Sequence, residues 1–210
     1  LLAARLARVH SALDIDTGGG EVLAEAPVLP ARTVVTEGWP PNARRARELL
    51  APRGVEVLET AGAALPVPSE SFELVSSRHP VAPNWREIHR VLAPGGSYLA
   101  QHVGPASAFE LIEFFLGPLG PERAARDPDA EAVAAREAGL VVERLERARC
   151  RMEFHDVGAV VWILRKCIWW VPDFSVERYE SRLRELDALM REAGPFVAHS
   201  TRHLIEARRP

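Results

Sequence analysis

The stretch Leu13-Asp14-Ile15-Asp16-Thr17-Gly18-Gly19-Gly20-Glu21 offers the first chemistry. An apolar run that ends in acids and glycines and turns straight into a helix lets a ligand approach the backbone. The helix N-terminus then supplies unpaired N–H groups. This reads as a nucleotide-like ligand at the end of a first strand, although a tight strand-to-helix turn needs glycine for itself too. Glu37 is the second feature. It closes the β-branched run Thr33-Val34-Val35-Thr36 and lies 37 − 14 = 23 residues after Asp14. An acid about 20 residues past a glycine turn is placed to accept hydrogen bonds from ribose hydroxyls. A strand-end Glu alone reads as surface; the register of the two features favours a ligand.

Acid–base candidates are fewer. His79 and His102 each follow a strand end, where ligands of open α/β sheets bind, and an imidazole titrates near neutrality. A hydrogen-bonded structural histidine is the competing reading for both. Trp85, Trp169 and Trp170 are the aromatic candidates, with residues 169–174 reading more readily as a packed helix corner than as a cap over a substrate. Cys150 and Cys167 have no His or Cys partner at metal spacing, so neither a metal site nor a disulfide framework is expected.

The 210 residues are 47% hydrophobic and 26% charged, which is ordinary for a globular protein. The net charge of −3 gives no broad attraction to nucleic acid or to an anionic membrane. The best apolar run, residues 157–171, contains Arg165 and Lys166 and is no membrane span. Residues 1–6 read as an amphipathic helix rather than a signal peptide, and residues before Leu1 are expected to be missing. The expectation is a cytoplasmic protein with a small-molecule substrate, neither nucleic acid nor membrane as partner, and an oligomeric state left open.

The elements that must position these residues alternate in type. Strands are expected at 12–16, 33–37, 55–58, 72–76 and 97–103, then within 140–154 and 198–207. Helices are expected at 1–10, 21–26, 42–51, 84–92, 106–116, 130–138, 157–169 and 176–193. This alternation is the grammar of a parallel sheet covered by helices, and the two late strands suggest a terminal antiparallel pair. With no repeat or low-complexity linker, residues 1–210 read as a single domain, with a core at 1–104 and late strands and a helical cap at 105–210.

Two further strings complete the pattern: Leu65-Pro66-Val67-Pro68-Ser69-Glu70-Ser71-Phe72-Glu73-Leu74-Val75 and Arg90-Val91-Leu92-Ala93-Pro94-Gly95-Gly96. With residues 13–21 and Glu37 they resemble the class I S-adenosylmethionine-dependent methyltransferases, most closely the ubiquinone/menaquinone-biosynthesis type (methyltransferase type 11). The resemblance implies a doubly wound, Rossmann-like α/β fold whose seven-stranded, mostly parallel sheet has its last strand antiparallel. It implies S-adenosylmethionine as cofactor and methyl transfer as the activity. By position, Asp14, Gly18, Gly19 and Gly20 would line the methionine and ribose side and Glu37 would hold the ribose. Gly38 and Trp39 would flank the adenine, and residues 76–79 would face the methyl group. The sequence departs from the family twice. Asp16, at the methionine end of the cofactor site, stands where the family usually has glycine. The acid expected near the adenine amine falls near Ala61, where Ala61-Gly62 supplies none. These departures leave a non-catalytic, binding or regulatory relative as the alternative.

Overall fold

The computed structural model describes residues 1–60, 64–80 and 82–210. Its elements, in chain order, are α1 (Leu2–Leu6), β1 (Ser11–Ile15), α2 (Glu21–Ala24), β2 (Arg32–Glu37), α3 (Pro40–Leu50), β3 (Glu56–Glu59), β4 (Phe72–Arg78), α4 (Trp85–Val91), β5 (Leu92–Val103), α5 (Phe109–Leu116), α6 (Pro128–Glu137), β6 (Val141–Phe154), α7 (Val157–Lys166), α8 (Glu180–Ala193) and β7 (Phe196–Arg208). The strands form one seven-stranded sheet in the order β3-β2-β1-β4-β5-β7-β6. The pairs β1–β2, β1–β4, β2–β3 and β4–β5 are parallel. The last strand runs the other way, with reciprocal bonds from Gly95 N–H to the Arg209 carbonyl and from Arg209 N–H to the Gly96 carbonyl. The expected α/β class, strand count and antiparallel last strand are all present.

The chain divides into two compact units: Leu1–His102 with Pro128–Glu146 and His203–Pro210, and Val103–Asp127 with Arg147–Arg202. In the first, strand periodicity makes the double winding. Neighbours in sequence point to opposite faces of a strand. Leu13, Val75 and Tyr98 thus join a core with Trp85, Ile88 and Val91 of α4, while Ala12, Leu74 and Leu99 join another with Leu6, Leu23, Ala46 and Leu50. A sheet apolar on both faces needs helices on both. In the second unit, Leu111 and Phe115 of α5, Val160 and Leu164 of α7, and Leu183, Leu186 and Met190 of α8 share a core. Trp170 and Phe174 pack against that core as a corner, while Trp169 stands 70% exposed.

Several boundaries differ from expectation. Helix α1 stops at Leu6, and the backbone N–H of His10 instead bonds the Glu73 carboxylate on the way into β1. Strand β5 begins at Leu92, before the Pro94-Gly95-Gly96 turn rather than after it. Phe72 pairs with Leu92 and Leu74 with Ser97, so the glycines form a bulge inside the strand, with Gly95 at φ +77°. Helix α7 ends at Lys166, and α8 starts only at Glu180. No helix among the described residues is long and apolar enough to cross a membrane.

Candidate functional site

The site lies in the first unit, beyond the carboxyl ends of β1, β2 and β4, where an open α/β sheet leaves a crevice. After β1 the chain passes through Asp16 at φ +55°, Gly18 at +67° and Gly20 at +83°. These left-handed conformations are why the segment needs glycine. Gly20 also needs it for space, since a Cβ there would stand 2.7 Å from Leu50 Cδ1. The space at Gly18 is open, because a Cβ there would meet no atom within 4 Å. Gly20 then caps α2, its own N–H donating back to the Thr17 carbonyl at 3.3 Å.

Glu37 is brought to this turn by the β1–β2 pairing. Its carboxylate, 7% exposed, accepts the Gly18 N–H at 2.8 Å on one oxygen and the Trp39 N–H at 2.8 Å on the other. Each oxygen keeps a second lone pair, so the anion is held in place and can still accept two hydroxyls. Gly38 is fixed by a close approach, since a Cβ there would lie 2.9 Å from the Thr60 carbonyl. Trp39 caps α3 with its indole 60% exposed beside this carboxylate. The positions near Ala61 and Gly62 lie outside the described residues.

The two aspartates differ. Asp14 is buried and accepts the Ser76 hydroxyl at 2.6 Å. Burial raises its carboxyl above the ordinary range, with the bonds from Ser76 and Thr17 opposing. Asp16 reaches solvent, and its N–H donates weakly to Thr36 Oγ1 at 3.4 Å. Its carboxyl is also raised, first by desolvation in the turn and then by the charge of Glu37. Asp is one of the few non-glycine residues that tolerates a left-handed backbone, which is how it occupies a glycine position.

A cavity of about 160 Å³ opens beside the turn, lined by Ile15, Asp16, Thr36, Leu65, Ser77 and Tyr98, with Pro80, Asn84, Glu87 and Ile88 across from them. Ser77 Oγ is buried there, beside the Tyr98 hydroxyl. His79 is exposed at φ +57°, its N–H donating to the Gln101 carbonyl at 2.9 Å. His102 does not line the cavity. It lies behind Tyr98, 2% exposed, with Nε2 3.1 Å from the Tyr98 hydroxyl and Nδ1 2.5 Å from Glu131 Oε2. His203 Nε2 meets the same oxygen at 2.8 Å. Sequence reasoning missed Tyr98, Glu131 and His203. Tyr98 was within reach, because it shares the face of β5 with His102 at a separation of four residues. The Glu131–His203 meeting of α6 and β7 left no local signal.

The fold has counterparts among known proteins. Residues 13–100 match the family model described as a methyltransferase domain. No curated protein matches the sequence. Among solved structures, a Bacillus halodurans putative methyltransferase superposes with a TM-score of 0.70 at 18% identity, covering 99% of this chain and 98% of that one. An S-adenosylmethionine-dependent methyltransferase from Mesorhizobium loti gives a TM-score of 0.57 at 18% identity, covering 95% and 90%. A Haloferax volcanii putative methyltransferase, in complex with the activator Trm112, gives 0.60 at 18%, covering 100% and 88%. The residues also fit the cofactor that the family implies, S-adenosylmethionine. The Glu37 carboxylate keeps unused lone pairs beside the open space at Gly18, the acceptors and the room that a ribose and an amino-acid tail would need. Residues 13–100 thus resemble a methyltransferase domain, and the whole chain shares its fold with proteins of that kind.

Proposed function

We propose that the protein transfers a methyl group from S-adenosylmethionine to a small-molecule acceptor. The observation that supports this most is the Glu37 carboxylate, anchored on Gly18 N–H and Trp39 N–H with lone pairs to spare. The bound cofactor supplies an electrophilic methyl group, so the work of the protein is positioning and exclusion of water. Glu37 accepts the ribose hydroxyls. Gly18, Gly19 and Gly20 let the cofactor lie against the backbone, with Asp14 and Asp16 on its methionine side. Gly38 allows close passage, and the exposed Trp39 indole flanks the adenine as a stacking face. On the acceptor side stand His79 and His102, the latter through Tyr98. The net charge of −3 supports a small acceptor over a nucleic acid or an anionic membrane.

Calorimetry with S-adenosylhomocysteine, followed by tritiated-methyl transfer to a panel of small hydroxyl, amine and carbon acceptors, tests this reading. One saturable site and transfer to at least one acceptor are expected. Binding without transfer to any would favour the non-catalytic relative, and no binding would refute the cofactor assignment.

A further inference from the structure

Tyr98, His102, Glu131 and His203 form a buried chain leading away from the cavity, and nothing in cofactor binding uses it. Tyr98 forms part of the cavity wall beside Ser77 and Asp16, its side chain otherwise enclosed in the core. From its hydroxyl the chain runs 3.1 Å to His102 Nε2, then 2.5 Å from His102 Nδ1 to Glu131 Oε2, which His203 Nε2 also reaches at 2.8 Å. The two rings are 2% and 1% exposed, and the Glu131 side chain 17%. Two imidazoles and a carboxylate suggest a metal centre, but the separations decide against it. Ligands at about 2.1 Å on a tetrahedral ion stand about 3.4 Å apart, whereas 2.5 and 2.8 Å are hydrogen-bond distances. The rings meet the carboxylate as donors.

This fixes the protons. An ionised carboxylate only accepts, so His102 carries its proton on Nδ1 and turns the Nε2 lone pair toward the Tyr98 hydroxyl. Burial pushes the Tyr98 phenol far up, so it stays protonated and donates along that line. Burial alone would raise Glu131 too, but the bonds from His102 and His203 outweigh it and hold the carboxyl down at about 2. His102 is thus held through Nδ1 by Glu131 with Nε2 turned to the phenol, the orientation a carboxylate gives the imidazole of a catalytic triad. Trp85, edge-on to Tyr98 at 5.4 Å, holds the phenol in place.

We propose that Tyr98, His102 and Glu131 are a proton relay that deprotonates a hydroxyl acceptor seated in the cavity. The inference rests on the methyltransferase reading and adds to it the class of acceptor. The acceptor O–H bond breaks and leaves its electron pair on oxygen. The proton passes to the Tyr98 oxygen while the proton of Tyr98 passes to His102 Nε2. A neutral phenol remains, with an imidazolium beside Glu131. An oxygen nucleophile requires this removal as its new bond forms, whereas a neutral amine attacks through its own lone pair. Tyr98 is the catalytic residue; His102 receives the proton through it, and Glu131 and His203 are positioning residues. Asp16 and Glu87 are the other acids on the cavity wall. Glu87 is held ionised by Arg90 at 2.7 Å and by the Leu65 N–H at 2.8 Å, which makes it a weak base. Asp16 is the rival base.

The test uses 4-nitrophenol, whose ionisation is read optically, bound to the full chain saturated with S-adenosylhomocysteine. Bound probe is expected to ionise at lower pH than free probe. Tyr98→Phe and His102→Gln should each abolish that shift while leaving the Kd for S-adenosylhomocysteine within about twofold, and Glu131→Gln should reduce it. Nitrogen-15 spectra of histidine-labelled wild-type protein give a reading without any substitution: adding the probe should convert one imidazole from its neutral tautomer to imidazolium. The relay is overturned if the probe does not bind, if the shift survives Tyr98→Phe, or if Asp16→Asn alone removes it. Failure of the wild-type protein to bind S-adenosylhomocysteine at all would instead bring down the methyltransferase reading, and the relay with it.

Discussion

Replacing Glu37 by Gln keeps the length of the side chain but removes its charge and one of its two acceptor oxygens. In the native turn each oxygen accepts one backbone N–H at 2.8 Å, from Gly18 and from Trp39. The amide leaves one of these N–H groups facing an NH₂. A lost hydrogen bond to a charged group costs about 1.5–3 kcal/mol, and the fold should lose about that much. The cofactor should lose one ribose contact of the same kind. The Kd for S-adenosylhomocysteine then rises by roughly 10- to 150-fold, at about 1.4 kcal/mol per decade. Calorimetry and urea unfolding on the same preparation separate the two effects. Gly54→Ala is the control, because it strains a turn at φ +76° away from the carboxylate and the cofactor side. If Glu37→Gln loses stability but binds S-adenosylhomocysteine within about twofold of wild type, Glu37 only staples the turn and the ribose assignment is wrong.

Trp39→Ala should leave stability nearly unchanged, since the indole is 60% exposed, yet weaken S-adenosylhomocysteine binding by about 1–3 kcal/mol, the worth of an aromatic stack on a base; equal affinity in calorimetry would remove it from the adenine site. Asp16→Gly relieves a left-handed non-glycine residue and a raised carboxyl beside Glu37, so thermal unfolding should occur at the same or higher temperature and the cofactor should bind no more weakly. A clear loss of affinity would mean that the carboxylate contacts the ligand. Glu131, held at about 2 against an ordinary 4.5, contributes stability that is complete above 4.5 and is lost as pH falls toward 2. Glu131→Gln should therefore cost up to about 3 kcal/mol at pH 7, at 1.36 kcal/mol per decade, and little near pH 2. An equal cost at both values, measured by urea unfolding, would contradict the hydrogen-bonded triad.

The sheet was legible because its signals are local. The run Thr33-Val34-Val35-Thr36 and the glycine turn after Leu13 declare strand and turn through β-branching and left-handed backbone, and both stand where expected. Pro94-Gly95-Gly96 misled as a turn before β5, because a bulge inside a strand and a turn ahead of one use the same residues. The meeting of Glu37 with the glycine turn was readable, because one strand–helix–strand unit sets their spacing. The Tyr98–His102–Glu131–His203 chain was not, since it joins β5, α6 and β7 across 203 − 98 = 105 residues, and only the fold brings them together. His102 shows the limit in one residue: its position past a strand end suggested a base in the cavity, while its alternation along β5 puts it behind Tyr98.

The most direct test of the account is a crystal structure of the protein with S-adenosylhomocysteine. It should place both ribose hydroxyls within hydrogen-bond distance of the Glu37 carboxylate, with the homocysteine tail along Gly18, Gly19 and Gly20. A ligand bound elsewhere, or a ribose that does not touch Glu37, would contradict it.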